Sequence, residues 1–312
     1  MEAISRSLEA LIKEKQLDKQ IERQLHQWLD HPVMKGWLNN HPEVKQESLV
    51  PFIVKIKQYV QEQENCRQCP GLKACANLLK GHQANLITYS GIVDLNYTPC
   101  QYQRQAEVEA QRKQLIKSHH IAADILNGSF RHFDQSDPER LDAFHAVLQF
   151  CLNVKPGEDP TGIYLYGPLG VGKSYLLGAA VNKLAERNIA SYMVYVPEFF
   201  REIKGAILEQ KVEEKLNALK TVPVLILDDI GAETITVWVR DEILGPLLQY
   251  RVGHNLPTLY TSNLDYDQLE DHLAYSQKGG IEQLKAKRIM ERIRHYTRPY
   301  FMNGPNRRAT SR

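Results

Sequence analysis

The chain has 312 residues, 24% of them charged, a formal net charge of +2 at pH 7 and a mean hydropathy of −0.43. That length accommodates two ordinary domains, and the near-neutral balance excludes a global electrostatic pull toward nucleic acid. No run of 18 apolar residues occurs, so no membrane span or membrane partner is expected; Met-Glu-Ala-Ile-Ser-Arg lacks a basic and then apolar leader, so the expected compartment is the cytoplasm.

Residues 1–62 read as helical. Leu8, Leu11, Ile12 and Lys15 open an amphipathic stripe that continues through Ile21, Leu25, Trp28 and Leu29 until His31-Pro32 interrupts it. Val54, Ile56, Tyr59 and Val60 belong to a further helix after Pro51. Four of the five cysteines then fall between residues 66 and 100, whereas Cys151, beside Phe150, reads as plain core.

Clustered cysteines in a cytoplasmic chain signal a metal more often than a disulfide. Cys66-x2-Cys69 is a knuckle that can bring two thiolates to one ion, and Cys100 follows 31 residues after Cys69, beyond a Gly-Ile-Val-Asp hairpin. Thiolates favour tetrahedral Zn²⁺, and a closed four-ligand site is structural. The fourth ligand is Cys75 or His82. Leu72, Cys75, Ala76 and Leu79 share one helical face, which puts Cys75 in a core, so His82, just past Gly81, is the preferred fourth ligand.

From Gln101 to Ser118 the sequence is rich in Gln, Arg and Lys without a strong apolar face, as in a linker that can be helical. The organisation expected is therefore residues 1–104 as a small, mostly helical zinc-binding domain, 105–135 as linker and entry segment, and 136–312 as an α/β domain. Ser136-Asp137-Pro138-Glu139 reads as a helix start with the helix over Arg140 to Asn153. Strands are predicted at Ile163 to Tyr166, Ala190 to Val196, Val222 to Leu227 and Leu256 to Thr261. Helices between them, notably Val237 to Val252, imply a parallel sheet.

Gly167-Pro168-Leu169-Gly170-Val171-Gly172-Lys173-Ser174 fits G-x-x-x-x-G-K-[ST], between a strand and a helix that continues through Tyr175. Such a loop turns backbone N–H groups onto phosphate oxygens, with the helix dipole behind them. Lys173 is expected on the β- and γ-phosphates and Ser174 on Mg²⁺. Val224 to Leu227 delivers Asp228 and Asp229 at a strand end, where Asp228 would serve Mg²⁺ and Asp229 would polarise an attacking water. A third strand ends in Thr261-Ser262-Asn263, whose polar groups suit a γ-phosphate. From Lys285 to Arg312 nine Lys or Arg stand against one acid, Glu291, a second source of phosphate contacts.

These motifs, in this order, resemble an AAA+ ATPase domain. His120 to Leu126 followed by Ser129-Phe130-Arg131 resembles the entry segment of the AAA+ branch that contains bacterial replicative-helicase loaders, and with the cysteine-bearing N-terminal part the chain is similar to the primosomal loaders of Bacillus-type bacteria. The resemblance implies ATP with Mg²⁺ as cofactors and assigns Asn263 to the first sensor. It makes Arg292, or Arg288 in its place, the arginine finger that reaches a neighbour's nucleotide, and Arg307 or Arg308 the C-terminal sensor. It implies an N-terminal domain that docks on the hexameric replicative helicase, self-association through the ATPase domain, and delivery of the helicase onto single-stranded DNA. Arg201 and Lys204 are candidate DNA contacts; Phe199 and Phe200 beside them read as core. The competing reading is a transposition-helper AAA+ ATPase on duplex DNA. A small-molecule P-loop kinase lacks a reason for the Arg-rich final helix.

Overall fold

The computed structural model describes residues 23–135, 137–206, 212–276 and 280–307. The stripe residues Leu8, Leu11, Ile12, Lys15 and Ile21, together with Ser136 and Arg308, lie outside them. Two compact units are present, Met1–Glu109 and Ala110–Arg312.

In the first unit, residues 23–29 are helical and α1 follows at Pro32–Asn40. His31 caps α1, its Nδ1 accepting from Val33 N at 3.4 Å, and Pro32 occupies the first turn, where no N–H is needed. The expected helix after Pro51 is α2, Ile53–Arg67. Strands β1 (His82–Tyr89) and β2 (Ile92–Pro99) form an antiparallel hairpin. Its turn residues Ser90 and Gly91 both have positive φ, the backbone a tight two-residue hairpin turn requires. Leu29, Met34, Trp37, Leu49, Ile56 and Val60 pack on Leu86 and Val93 of the hairpin, and Trp37 Nε1 donates to Leu86 O at 2.8 Å.

One expected helix of this unit does not form. Between Leu72 and Leu79 only Leu72–Ala74 makes a short 3₁₀ turn, while Leu78 and Leu79 are exposed. Buried Asn77 explains the difference, because its Nδ2 donates to Cys66 Sγ at 3.3 Å and to His82 O at 2.9 Å. Side-chain bonds of this kind compete with a helix ladder. Cys75 is consequently half-buried in a loop, not seated in a core.

Helix α3 (Gln101–Leu115) has no buried residue, and the division between units falls within it. The second unit is built on β3 (Ile116–His119), β4 (Gly162–Tyr166), β5 (Ser191–Tyr195), β6 (Val224–Asp228) and β7 (Thr258–Ser262), with a short β8–β9 hairpin (Tyr275–Ser276, Gly280–Ile281) and β10 (Thr297–Phe301). Six strands make one all-parallel sheet in the order β10-β4-β7-β6-β5-β3. The strands alternate across it. Ile163, Leu165, Met193, Ile226 and Leu259 join one core with the helices α4 (Ala123–Leu126), α5 (Leu141–Asn153) and α6 (Lys173–Glu186). Tyr164, Val194, Leu225, Leu227 and Tyr260 face the other, with α7 (Val196–Ala206), α8 (Val212–Thr221), α9 (Gly245–Gly253), α10 (Tyr266–Ala274) and α11 (Gln283–His295).

The four predicted strands are β4 to β7. The two sheet edges, β3 and β10, carry no apolar run, and Pro299 in β10 is tolerated because that strand is an edge. Val237 to Val252 is interrupted: Val239–Leu244 is a π-helical stretch that runs into α9. Cys151, Phe199 and Phe200 are core residues as expected. No described helix is long and apolar enough to cross a membrane.

Candidate nucleotide-binding site

Strand β4 ends at Tyr166, and the loop to α6 wraps a cavity of about 630 Å³, a size typical of cofactor sites, roughly 300–1,000 Å³. Two loop glycines are dictated by geometry. Gly167 has φ 141° and passes so close to Met302 that a Cβ would lie 2.0 Å from its carbonyl oxygen. Gly172, at φ 97°, is the left-handed N-cap from which α6 starts.

Within the cavity the three predicted strand ends meet. Lys173, nearly fully buried, donates from Nζ to Gly167 O and Pro168 O, both at 2.7 Å, and to Asn263 Oδ1 at 2.9 Å. Asn263 in turn donates from Nδ2 to Asp229 Oδ1 at 3.0 Å. Thr261 Oγ1 donates to Asp228 Oδ1 at 2.6 Å and accepts from Asp229 N at 2.8 Å. Asp229 adopts φ 62°, an uncommon conformation for a residue with a side chain. The parallel register of β6 and β7 produces this meeting, because it pairs Leu227 with Tyr260 and so brings both strand ends to one rim.

Asp228 is buried, and burial pushes its carboxyl pKa up, with Asp229 adding to the rise; Thr261, Ser174 and Lys173 oppose it. A buried carboxylate beside a second carboxylate and a serine hydroxyl is a donor set that fits Mg²⁺.

Leu169, Gly170, Gly172, Ser174 and Tyr175 line the cavity with these residues; Val171 turns into the core instead. Arg307 is also there, its backbone N donating to Gly170 O at 3.1 Å and its guanidinium paired with Asp134. The opposite wall is the entry segment, with His120, Ile121, Ile125, His132 and Phe133. One wall residue gave no signal in the sequence. Arg140 is buried, stacks 4.2 Å above the Phe133 ring and donates from Nη1 to Asp134 O at 3.1 Å. Burial, then Arg307, pulls its pKa down, so two guanidiniums share this rim and favour an anionic occupant.

Arg292 lies elsewhere, in a shallow recess with Pro160, Leu248 and Tyr296. It donates from Nε to Gln249 Oε1 at 2.8 Å and from Nη1 to Arg288 O at 2.6 Å. Arg288 is exposed, and among the described residues no hydrogen bond or ion pair of its guanidinium is found. Much of the remaining basic C-terminal charge is matched within the chain. Lys285 pairs with Asp241 and Glu282, and Arg294 with Asp267 and Glu270. Arg201 pairs with Glu198 on its own helix.

In the first unit Cys66, Cys69, Cys75 and Cys100 are all half-buried, and none of them is in a disulfide. Burial raises the Cys66 pKa, the Asn77 hydrogen bond opposes the rise, and Cys69, Cys75 and Cys100 each add to it. Gly81 N lies 3.5 Å from Cys75 Sγ, while His82 Nδ1 is 3.0 Å from Lys80 O, which leaves Nε2 as the available nitrogen. Such outer bonds suit a thiolate ligand and a histidine ligand respectively. Among the described residues, no three of these five side chains bring ligand atoms within 4.8 Å of one another.

An all-parallel sheet of this order, with a phosphate-type loop after β4, paired acids after β6 and a polar sensor position after β7, defines an AAA+ ATPase domain. Residues 130–242 match the family model of the bacterial DnaA ATPase domain, and residues 1–97 match that of the primosomal protein DnaI N-terminus. The chain is 39% identical to the replicative helicase loader DnaI of Bacillus subtilis (strain 168), over 99% of both chains. A crystal structure of DnaI is 48% identical and superposes with a TM-score of 0.56, covering 63% of this chain and 99% of that one. The DnaC helicase loader structure, 22% identical with a TM-score of 0.50 over 58% of this chain and all of that one, shares the fold. The chain belongs to the DnaI family of replicative helicase loaders.

Proposed function

We infer that this chain is an ATP-dependent switch that binds a replicative DNA helicase through its N-terminal unit and helps place it on single-stranded DNA. The observation that carries the reading is the relationship to a replicative helicase loader along the whole chain, N-terminal unit included. The transposition-helper alternative draws no support from these relatives. The nucleotide site supplies the timing. ATP phosphates would lie along the Gly167–Ser174 loop, with Ser174 and Asp228 holding Mg²⁺, which supplies charge neutralisation on the phosphates. Lys173 would exchange neutral oxygens for phosphate oxygens, which frees Asn263 Oδ1. The Lys173–Asn263–Asp229 chain therefore gives Asp229 a partner whose position depends on the nucleotide. Asp229 would hold the attacking water, and Arg307 would contact the phosphates once released from Asp134.

Hydrolysis is expected to be completed by a neighbouring subunit. A finger acting in trans must leave its own chain's contacts, and Arg292 is committed to Gln249 whereas Arg288 is exposed. This favours Arg288 and keeps Arg292 as the alternative. Arg288→Ala should reduce ATP hydrolysis under assembling conditions at least tenfold with nucleotide affinity unchanged, given that arginine fingers contribute roughly 10³–10⁵ in rate. Undiminished hydrolysis in both Arg288→Ala and Arg292→Ala would remove the trans mechanism.

In the N-terminal unit Cys66, Cys69 and Cys100, with His82 or Cys75, would hold Zn²⁺ as a structural staple for the helicase-docking surface. A pull-down of the replicative helicase with the full-length protein tests both parts. Wild type should capture the helicase, and Cys66→Ser/Cys69→Ser or prior chelation should reduce capture at least tenfold while nucleotide binding survives. No capture by the zinc-loaded wild type would sink the docking assignment.

A further inference from the structure

We propose that His119, His120 and Glu202 form a second metal site, for a divalent transition ion of the Zn²⁺, Co²⁺ or Ni²⁺ class, on the edge of the ATPase sheet. Their ligand atoms all lie within 4.8 Å of one another, and among the described residues they alone form such a group. His119 Nε2 is 3.2 Å from Glu202 Oε2, and His120 Nε2 bonds to Glu202 Oε1. Two imidazoles and a carboxylate suit borderline ions, which accept nitrogen and oxygen donors together.

The backbone is arranged for this convergence. His119 is the last residue of β3, and consecutive strand residues point to opposite faces. His120 instead adopts φ 55°, a left-handed conformation that breaks the alternation. Both rings are thereby turned toward α7, where Glu202 lies one turn beyond the buried Phe199. They sit 4.6 Å apart and nearly perpendicular, and His119 meets the Phe199 ring edge-on at 5.7 Å. His119 Nε2 is buried against the Glu202 carboxylate. A divalent ion between the two would bond to both.

The competing cation is Lys215, whose Nζ is 3.2 Å from Glu202 Oε2. It occupies one carboxylate oxygen and repels a dication. Because His120 also lines the nucleotide cavity, an ion here would fix one side of the entry segment to α7.

The test is Co²⁺ binding to full-length, chelator-stripped protein, read by equilibrium dialysis and by absorption. Thiolate-bound cobalt gives an intense near-ultraviolet charge-transfer band, and a histidine–carboxylate site gives none, so the cysteine cluster is scored separately. Wild type should bind one cobalt more per chain than is accounted for by the thiolate band. His119→Ala and Glu202→Gln should weaken that extra binding at least tenfold and leave the thiolate band unchanged. Lys215→Met should tighten it several-fold, which an ion pair of purely structural role would not do. Equal cobalt stoichiometry and affinity in wild type, His119→Ala and Glu202→Gln, with no tightening by Lys215→Met, would overturn the proposal. Such a result would leave His120 and Glu202 as an ion pair.

Discussion

Lys173→Ala should weaken ATP binding at least a hundredfold. In the structure the ammonium has exhausted its three donors on Gly167 O, Pro168 O and Asn263 Oδ1, all neutral acceptors. A phosphate oxygen carries charge, and a hydrogen bond to a charged group contributes about 1.5–3 kcal/mol against about 1 kcal/mol for a neutral one. The upper part of that range corresponds to roughly two decades in affinity. The site lies in a buried setting, so the lost charge is poorly replaced by water. Removal also leaves Asn263 without its donor and uncouples Asp229 from the loop. Titration calorimetry with ATP and Mg²⁺ reads the affinity. Thermal denaturation reads the same loss independently, because a ligand that binds only the folded state raises the melting temperature. The ATP-dependent rise should vanish in Lys173→Ala, while the nucleotide-free protein should lose only about 1 kcal/mol, the cost of a few loop acceptors turning to water. An undiminished ATP-dependent rise would refute the assignment of the loop.

The loop side of the cavity was legible because its pattern is written locally. Glycines at 167 and 172, the lysine between loop and helix, and acids at the end of an apolar strand are each short-range patterns. The register of a parallel sheet then brings Asp229 and Asn263 together without further instruction. The Arg140 wall of the cavity was not legible for the opposite reason. Arg140 belongs to the site because Phe133 and Asp134 fold beneath it and because Arg307, 167 positions later, arrives on the same rim. No window of sequence contains that relation. The two edge strands escaped notice because an edge tolerates polar and proline residues that a central strand excludes. The loop at Cys75 shows a pattern overridden. The apolar spacing favoured a helix, but one buried amide, Asn77, reorganised the backbone around Cys66 and His82. The same kind of long-range meeting joins His119 and His120 to Glu202, 82 residues beyond His120, with a positive φ at His120.

The largest stability loss from a single substitution is expected at Arg251→Ala. Arg251 is fully buried on α9, yet among the described residues no carboxylate pairs with it. Its guanidinium instead gathers neutral oxygens. Nε donates to Thr258 Oγ1 at 2.9 Å. Nη1 donates to Leu219 O at 2.9 Å, Lys220 O at 3.2 Å and Val222 O at 2.7 Å. Nη2 donates to Pro257 O at 2.6 Å. Leu219 and Lys220 are in the last turn of α8, whose carbonyls have no helical partner and carry the negative end of the dipole. Val222 precedes β6 and Pro257 precedes β7, so one side chain ties a helix end to the starts of the strands that deliver Asp228 and Asn263. Truncation leaves buried acceptors without donors, at about 1–3 kcal/mol for each group that water does not reach. It also opens a cavity. A total loss of about 3–5 kcal/mol follows, which for a unit of this size lowers the melting temperature by on the order of 10 °C. Arg251→Lys separates charge from geometry. An ammonium keeps the charge but offers three donors from one point, where the guanidinium spreads five across a plane. Lysine should therefore recover less than half of the lost stability. Denaturant unfolding of the three proteins measures both differences. If Arg251→Lys matches wild type, the planar fork is irrelevant and the charge alone holds these strand starts. If Arg251→Ala does so as well, the strand starts are held by the sheet ladder and the two cores without this residue.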